Sequence, residues 1–296
     1  LRDAEPFLQP SHVSPLSTDE IRTAVVAALT EDIGSGDVTS LACIPPGATA
    51  SARMNAREPL TLAGIAFAET AFRELAPNAT LRRLAKDGDR LQPGEPILEV
   101  SGSARGILSA ERVALNYVQR LSGVATATTA YVSAVAGTPV KILDTRKTTP
   151  GWRRFEKYAV ACGGGTNHRI GLHDLVLIKD NHLAALAGEP PDAITAAVRR
   201  ARAQFPGLRV EVEADTPEQA EQAAKAGADI ILLDNMEPAV LRDALARIAG
   251  RSRTEASGGI TLKTIRAVAE TGVDFISVGA ITHSARAVDI GLDFLT

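Results

Sequence analysis

The sequence predicts an α/β protein in two parts, an α+β amino-terminal portion followed by a barrel-like α/β domain. Three observations carry this. Apolar, β-branched runs recur at 140–143 (VKIL), 175–178 (LVLI), 208–212 (LRVEV), 229–233 (DIILL) and 275–278 (FISV), with a weaker strand at 254–259 (TEASGG). Ala-rich amphipathic segments such as TPEQAEQAAKAG and TLKTIRAVAETG separate them, which places the strands in a parallel sheet with helices outside. In the last units the strands return about every 20 to 25 residues, a spacing tight enough for a barrel.

The elements before the barrel follow local rules. Ser17 and Glu20 form a capping-box pair, and Ile21, Val25 and Leu29 then repeat on one face until Gly34 stops the helix. Residues 48–65 read as strands, 66–76 as a short helix ending before Pro77, and 81–102 as two strands joined by Gly- and Pro-containing turns. That hairpin resembles those of lipoyl and biotinyl carriers, but no lysine stands between Asp87 and Gly102, so it reads as scaffold. One helix is predicted from Ser109 to about Ala136, with Val113, Tyr117 and Leu121 on one face and Arg112, Asn116 and Gln119 on another. The expected division is 1–123 as an α+β domain, with the tail 284–296 packing back on it, and 124–283 as the catalytic barrel.

The 296 residues suffice for a large core, with 45% hydrophobic and 23% charged content typical of a soluble globular protein. A formal charge of −3 offers no global field for nucleic acid or an acidic membrane. The two cysteines, Cys43 and Cys162, form no CxxC pair and argue against a zinc site or a disulfide framework. No run approaches a membrane span, and LRDAEPFLQPSH lacks the apolar core of a signal peptide. A chain beginning at Leu1 leaves a missing native start open, and the cytoplasm is the expected compartment.

The chemistry collects at the carboxyl ends of the predicted strands, where barrel enzymes place their active sites. These ends are Asp144-Thr-Arg-Lys147, Lys179-Asp-Asn-His182, Glu211 and Glu213, Asp234-Asn235, Glu255-Ala-Ser-Gly-Gly259, and Gly279. Residues 141–182 hold eight Lys or Arg against four Asp or Glu, whereas the later units supply Glu213 and Asp234. That layout suits an anionic ligand with a divalent cation at one end, as in a sugar pyrophosphate with Mg²⁺. The small loops SGG and VGA let backbone N–H groups approach a phosphate. Simpler roles compete at each position. Exposed cations such as Arg146 and Lys147 are usually solvated, but here Pro150 and Gly151 stiffen their turn. Lys179 sits where a plain strand-end charge is common, and Asp234 precedes a helix it could cap. Glu211 and Glu213 share a strand face, which leaves one of them available to bridge to a core cation.

The blocks EDIGSGDVTS, ERVALNYVQRLSG, DTRKTTPG and CGGGTNHRIGLHDLVLIKDNH, followed by VEVEADT, DIILLDNM, EASGGI and ISVGAIT, resemble the quinolinate phosphoribosyltransferases over most of the chain. The resemblance implies an N-terminal open sandwich followed by an incomplete α/β barrel of fewer than eight strands. It implies transfer of the phosphoribosyl group of phosphoribosyl pyrophosphate (PRPP) to quinolinate, with loss of CO₂ and pyrophosphate, giving nicotinate mononucleotide for NAD synthesis. It implies Mg²⁺ with PRPP, and a homodimer whose partner lends Arg112. On these positions Arg112, Arg146, His168 and Arg169 would grip the quinolinate carboxylates, with Thr145 beside them. Lys147 and Lys179 would stand between the two substrates. Glu213 and Asp234 would meet the ribose hydroxyls or the Mg²⁺ shell, and Ser257, Gly258, Gly259 and Gly279 the 5′-phosphate. Trp152 stands where a smaller apolar residue is more usual in the family, so packing beside the turn is expected to differ.

Three other readings compete. A paralogue of the same fold would act on another acidic heterocycle or pentose donor, and retention of Arg146, His168 and Arg169 favours quinolinate. A Schiff-base enzyme would use Lys147 or Lys179 as nucleophile without Mg²⁺. A non-enzymatic binding protein leaves the populated barrel rim unexplained.

Overall fold

The computed structural model describes residues 15–295, so the amino-terminal stretch inspected for a signal peptide lies outside the described residues. The chain separates into two compact units. One contains the described residues 15–129, 149–164 and 281–295; the other contains Ala130–Thr148 and Gly165–Ala280.

Helix α1 (Thr18–Ile33) starts on the capping box read from sequence: Glu20 N–H donates to Ser17 Oγ at 3.1 Å, and Ser17 N–H donates to Glu20 Oε2 at 2.9 Å. Asp37 caps α2 (Val38–Cys43) through Ser40 N–H at 2.9 Å. Strands β1 (Thr49–Ala56) and β2 (Leu60–Thr61) precede α3 (Ile65–Leu75). The stretch expected to give two strands gives three, β3 (Thr80–Arg83), β4 (Arg90–Leu91) and β5 (Pro96–Ser103). The extra one arises because Asp89 Oδ2 accepts from Lys86 N–H at 2.9 Å, which tightens the turn and sends β4 to pair with β2. Helix α4 (Ala104–Ala134) begins five residues earlier than expected, directly off β5, where Ser103 Oγ accepts from Gly106 N–H at 3.3 Å. Val113, Tyr117 and Leu121 are buried on α4, and each large apolar side chain removed from water contributes roughly 1.5–3 kcal/mol.

Next come β6 (Lys141–Leu143), α5 (Arg153–Cys162), β7 (Val176–Ile178), α6 (Asp180–Ala184) and α7 (Ala193–Gln204). Regular alternation then sets in: β8 (Val210–Ala214), α8 (Pro217–Ala226), β9 (Ile230–Asp234), α9 (Pro238–Ile248), β10 (Arg253–Ser257), α10 (Ile265–Ala269), β11 (Phe275–Ser277) and α11 (Ala280–His283). The last strand is β12 (Ile290–Leu295).

In the first unit, an antiparallel sheet of order β12-β1-β5-β3 buries Ala52, Met54, Leu98 and Val100. Within the same unit Phe67, Tyr117 and Trp152 form an aromatic column. Phe67 stacks on Tyr117 with centroids 4.7 Å apart, and Tyr117 on Trp152 at 5.0 Å with planes 10° apart. The unusual tryptophan thus extends a stack that Phe155 meets edge-on at 5.9 Å.

The second unit holds a six-stranded parallel sheet of order β6-β11-β10-β9-β8-β7, fewer than the eight strands of a full barrel. Its strands are short and apolar at the centre, as expected of strands covered on both faces; Ile231 and Leu233 are fully buried. No helix among the described residues is long and apolar enough to cross a membrane.

Candidate active site

The carboxyl ends of the barrel strands surround a cavity of about 400 Å³. Thr145, Arg146 and Lys147 enter from the end of β6, His168 and Arg169 from the next loop, and Lys179 from the end of β7. Glu213, Asp234 and Ser257 close it from β8, β9 and β10. These residues are spread over 113 positions of sequence (145 to 257), and only the parallel register brings them to one rim.

Asp144 seats the cationic side. It is fully buried at the end of β6 and accepts from Asn167 Nδ2 at 2.6 Å and from His168 N–H at 2.9 Å. Thr166 N–H donates to Ile142 O at 2.8 Å, so residues 166–168 run along β6 before the chain turns away. Asp174 fixes the following loop by accepting from Ile170 and Gly171 N–H groups at 2.7 and 2.9 Å. Arg169 then reaches Leu175 O through Nη1 at 3.2 Å. The turn after Lys147 is anchored in its turn: Thr149 donates through N–H and Oγ1 to the buried Glu156 carboxylate, at 3.1 and 2.8 Å.

Both nitrogens of the His168 ring are engaged within the protein. Nε2 lies 3.1 Å from Glu211 Oε2 and 3.5 Å from Glu255 Oε2, while Arg169 N–H lies 2.7 Å from Nδ1. Burial pulls the His168 pKa down, but the charges of Glu255 and Glu211 overcome it and hold the ring well above its ordinary value. The Arg169 N–H contact instead suits a ring whose single proton is on Nε2. In both protonation states a proton on Nε2 faces the two acids. Glu211 is pushed up by burial and by Glu255, and is pulled back by His168. The Arg169 guanidinium is lowered by burial and by neighbouring Arg146, against the opposing charges of Glu211 and Asp174.

The acidic side is organised by two short contacts. Lys179 Nζ pairs with the Glu213 carboxylate. Asn235 adopts a left-handed backbone, φ 54°, and its Nδ2 donates to Asp234 Oδ2 at 2.6 Å. Burial and the adjacent Glu213 raise the Asp234 carboxyl, with Lys179 opposing.

Four nominated residues are not among those lining the cavity. Gly258 and Gly259 follow Ser257 directly, in left-handed conformations of φ 92° and 60°. Gly279 follows β11. Arg112 belongs to the other unit and is exposed on α4. Conversely, Glu255 and Ser277 line the cavity without having been given a role. The available signal for Glu255 was a charged residue inside an otherwise buried strand, between Thr254 and Ala256.

Profiles described as the quinolinate phosphoribosyl transferase N-terminal and C-terminal domains match residues 37–122 and 124–293. The chain belongs to this family. It is 44% identical over 287 residues to the nicotinate-nucleotide pyrophosphorylase [carboxylating] of Mycobacterium leprae, covering 95% of this chain and 99% of that one. It is 45% identical to the probable nicotinate-nucleotide pyrophosphorylase [carboxylating] of Bacillus subtilis, over 89% of each chain. Among solved structures it is similar to the nicotinate-nucleotide pyrophosphorylase from Francisella tularensis, with a TM-score of 0.89, 39% identity, and 96% and 99% of the two chains covered.

Proposed function

We propose that this rim cavity transfers the phosphoribosyl group of PRPP to the ring nitrogen of quinolinate, releasing pyrophosphate and CO₂ and leaving nicotinate mononucleotide for NAD synthesis. The observation that carries the proposal is electrostatic sorting inside one cavity of a chain from this family. Arg146, Lys147, His168 and Arg169 stand on one side, and Glu213 and Asp234 on the other, with Lys179 paired to Glu213.

The chemistry follows from the side chains. Arginine forks suit carboxylates, so Arg146 and Arg169 would take those of quinolinate, with His168 completing that wall. Arg146 Nε is buried without a hydrogen-bond partner among the described residues, a donor ready for an anion. Lys147 and Lys179 would then lie between quinolinate and the departing pyrophosphate. Departure develops positive charge at the anomeric carbon, and holding the pyridine nitrogen beside that carbon supplies proximity. Once ribosylated, the cationic ring nitrogen stabilises the electron pair left on the adjacent ring carbon as the C–C bond breaks, so the carboxylate leaves as CO₂ without a dedicated base and that carbon takes a proton from water. Ser257 to Gly259 and Gly279 would hold the 5′-phosphate through backbone N–H groups.

The acidic side fits Mg²⁺ carried with PRPP. Glu213 and Asp234 are hard oxygen donors, and Asp234 is pushed up by burial and its acidic neighbour, a charge excess that a divalent cation relieves. When bound, Mg²⁺ would stabilise the leaving pyrophosphate. The exposed Arg112 suits a residue lent to the site of a second copy in a homodimer. Two free thiols, Cys43 and Cys162, accord with a reducing compartment such as the cytoplasm.

The test is release of labelled CO₂ from carboxyl-labelled quinolinate by the purified protein. Release that requires both PRPP and Mg²⁺ supports the proposal; no PRPP-dependent nicotinate mononucleotide refutes it.

A further inference from the structure

Two glutamates have no part in the reaction just described, although Glu255 lines the cavity and Glu211 neighbours it through His168. Glu211 on β8 and Glu255 on β10 are 0% and 1% exposed. Apart from the His168 Nε2 edge, their carboxylate oxygens have no hydrogen-bond partner among the described residues. Strand β9 separates their strands, yet one oxygen of each lies within 4.8 Å of the other and of His168 Nε2. Two carboxylates buried this way are costly unless a cation answers them. The group that faces them is the Nε2–H edge of His168, and the charge of Glu211 is felt at Arg169 as well.

The cationic wall has the opposite problem. The charge of Arg146 acts against that of Arg169, whose guanidinium is lowered by burial and by this neighbour. The charge of Glu211 opposes that repulsion at Arg169. Carboxylates entering from the rim still meet the cations first. Such an arrangement is preorganisation of the cationic wall by the groups packed against it.

We infer that Glu211 and Glu255 are positioning residues for the dicarboxylate half of the site, holding His168 by its Nε2–H edge so that its ring keeps one orientation beside Arg169. The inference rests on the proposed reaction, and its test separates the two. Wild-type protein without PRPP-dependent turnover would refute the reaction itself.

With turnover established, Glu211→Gln and Glu255→Gln, which keep shape and remove charge, are compared with wild type. Each should raise the KM for quinolinate about tenfold while leaving that for PRPP within about twofold. Adding Glu211→Gln to His168→Gln should cause little further loss, because the acid acts through the ring. Unchanged quinolinate KM, equal changes in both KM values, or full additivity with His168→Gln would each overturn the inference. So would a stoichiometric transition metal in wild-type protein that is lost on His168→Gln, since these three side chains would then be ligands. Should the glutamine variants fail to fold, ¹⁵N signals of the His168 ring in wild type decide. A proton held on Nε2 in the substrate-free protein supports the inference, and a ring protonated only on Nδ1 contradicts it.

Discussion

Asn235 holds Asp234: its amide donates to Asp234 Oδ2 at 2.6 Å from a left-handed backbone that few residues other than glycine adopt. Asn235 N–H also donates to Ser257 O at 2.9 Å, so one residue ties the acidic side to the start of the glycine loop. A side chain held in an uncommon conformation at a strand end marks a position fixed by the site. Asn235→Ala is expected to raise the KM for PRPP about tenfold and to spare quinolinate affinity. Steady-state kinetics with each substrate varied in turn checks this.

Gly258 sits against that residue. A Cβ there would lie 2.1 Å from Asn235 Oδ1 and 2.8 Å from Asn235 N, at φ +92°. Both contact and backbone oppose a side chain, and the strain alone is on the order of 1–3 kcal/mol. Gly258→Ala should therefore lower the melting temperature by several degrees and reduce turnover by at least about tenfold. Thermal unfolding and turnover measured on the same preparation would reveal both, and wild-type values for both would contradict the crowding.

Acid sensitivity follows from three carboxylates of the first unit. Glu20, hydrogen bonded by Arg154, falls from an ordinary 4.5 to about 2. Asp37, bonded by Ser40, falls from 3.8 to about 2, and Glu58, bonded by Arg286, from 4.5 to about 2. A folded-state pKa below the unfolded one stabilises above the unfolded value, and the contribution disappears as pH falls toward the folded one. The triple variant Glu20→Gln, Asp37→Asn, Glu58→Gln should be less stable than wild type at pH 7. The gap should close between about pH 4.5 and pH 2. Urea unfolding across that range reads the difference, which is modest because the groups are near the surface.

Trp152 contributes through its stack on Tyr117. Truncation to alanine should cost about 2 kcal/mol, less than a fully buried aromatic, whereas phenylalanine should recover most of it. Chemical denaturation of both variants distinguishes an aromatic stack from simple surface coverage.

The proposed sharing of Arg112 between copies predicts complementation. Arg112→Ala and Lys179→Ala are each expected to be inactive, and a mixture to regain up to about a quarter of wild-type activity once subunits exchange randomly. Confirmed exchange with no recovery would place a complete site within one chain.

The barrel was legible because most of its strands are short apolar runs, evenly spaced from β8 onward, and because a parallel sheet puts every strand's carboxyl end on one rim. Arg146, Lys147, Lys179, Glu213 and Asp234 stand out by that rule alone. The rule does not describe depth. Glu211 and Glu213 lie two residues apart on one strand face, yet one goes beneath the cavity to His168 and the other pairs with Lys179 at its edge. Their difference depends on the length and register of neighbouring strands, which residue types do not encode. The Asn235 conformation was equally hidden, since DNM reads as a plain strand-end cap. Trp152 had no visible partner because Tyr117 and Phe67 are distant in sequence and meet only in the fold.

A crystal structure of the protein with quinolinate is the decisive measurement. The acid should lie in the rim cavity, its two carboxylates bonded to Arg146 and Arg169, and its ring nitrogen facing the side that carries Glu213 and Asp234. Quinolinate bound elsewhere, or in the cavity without contact to either arginine, would contradict the proposed site.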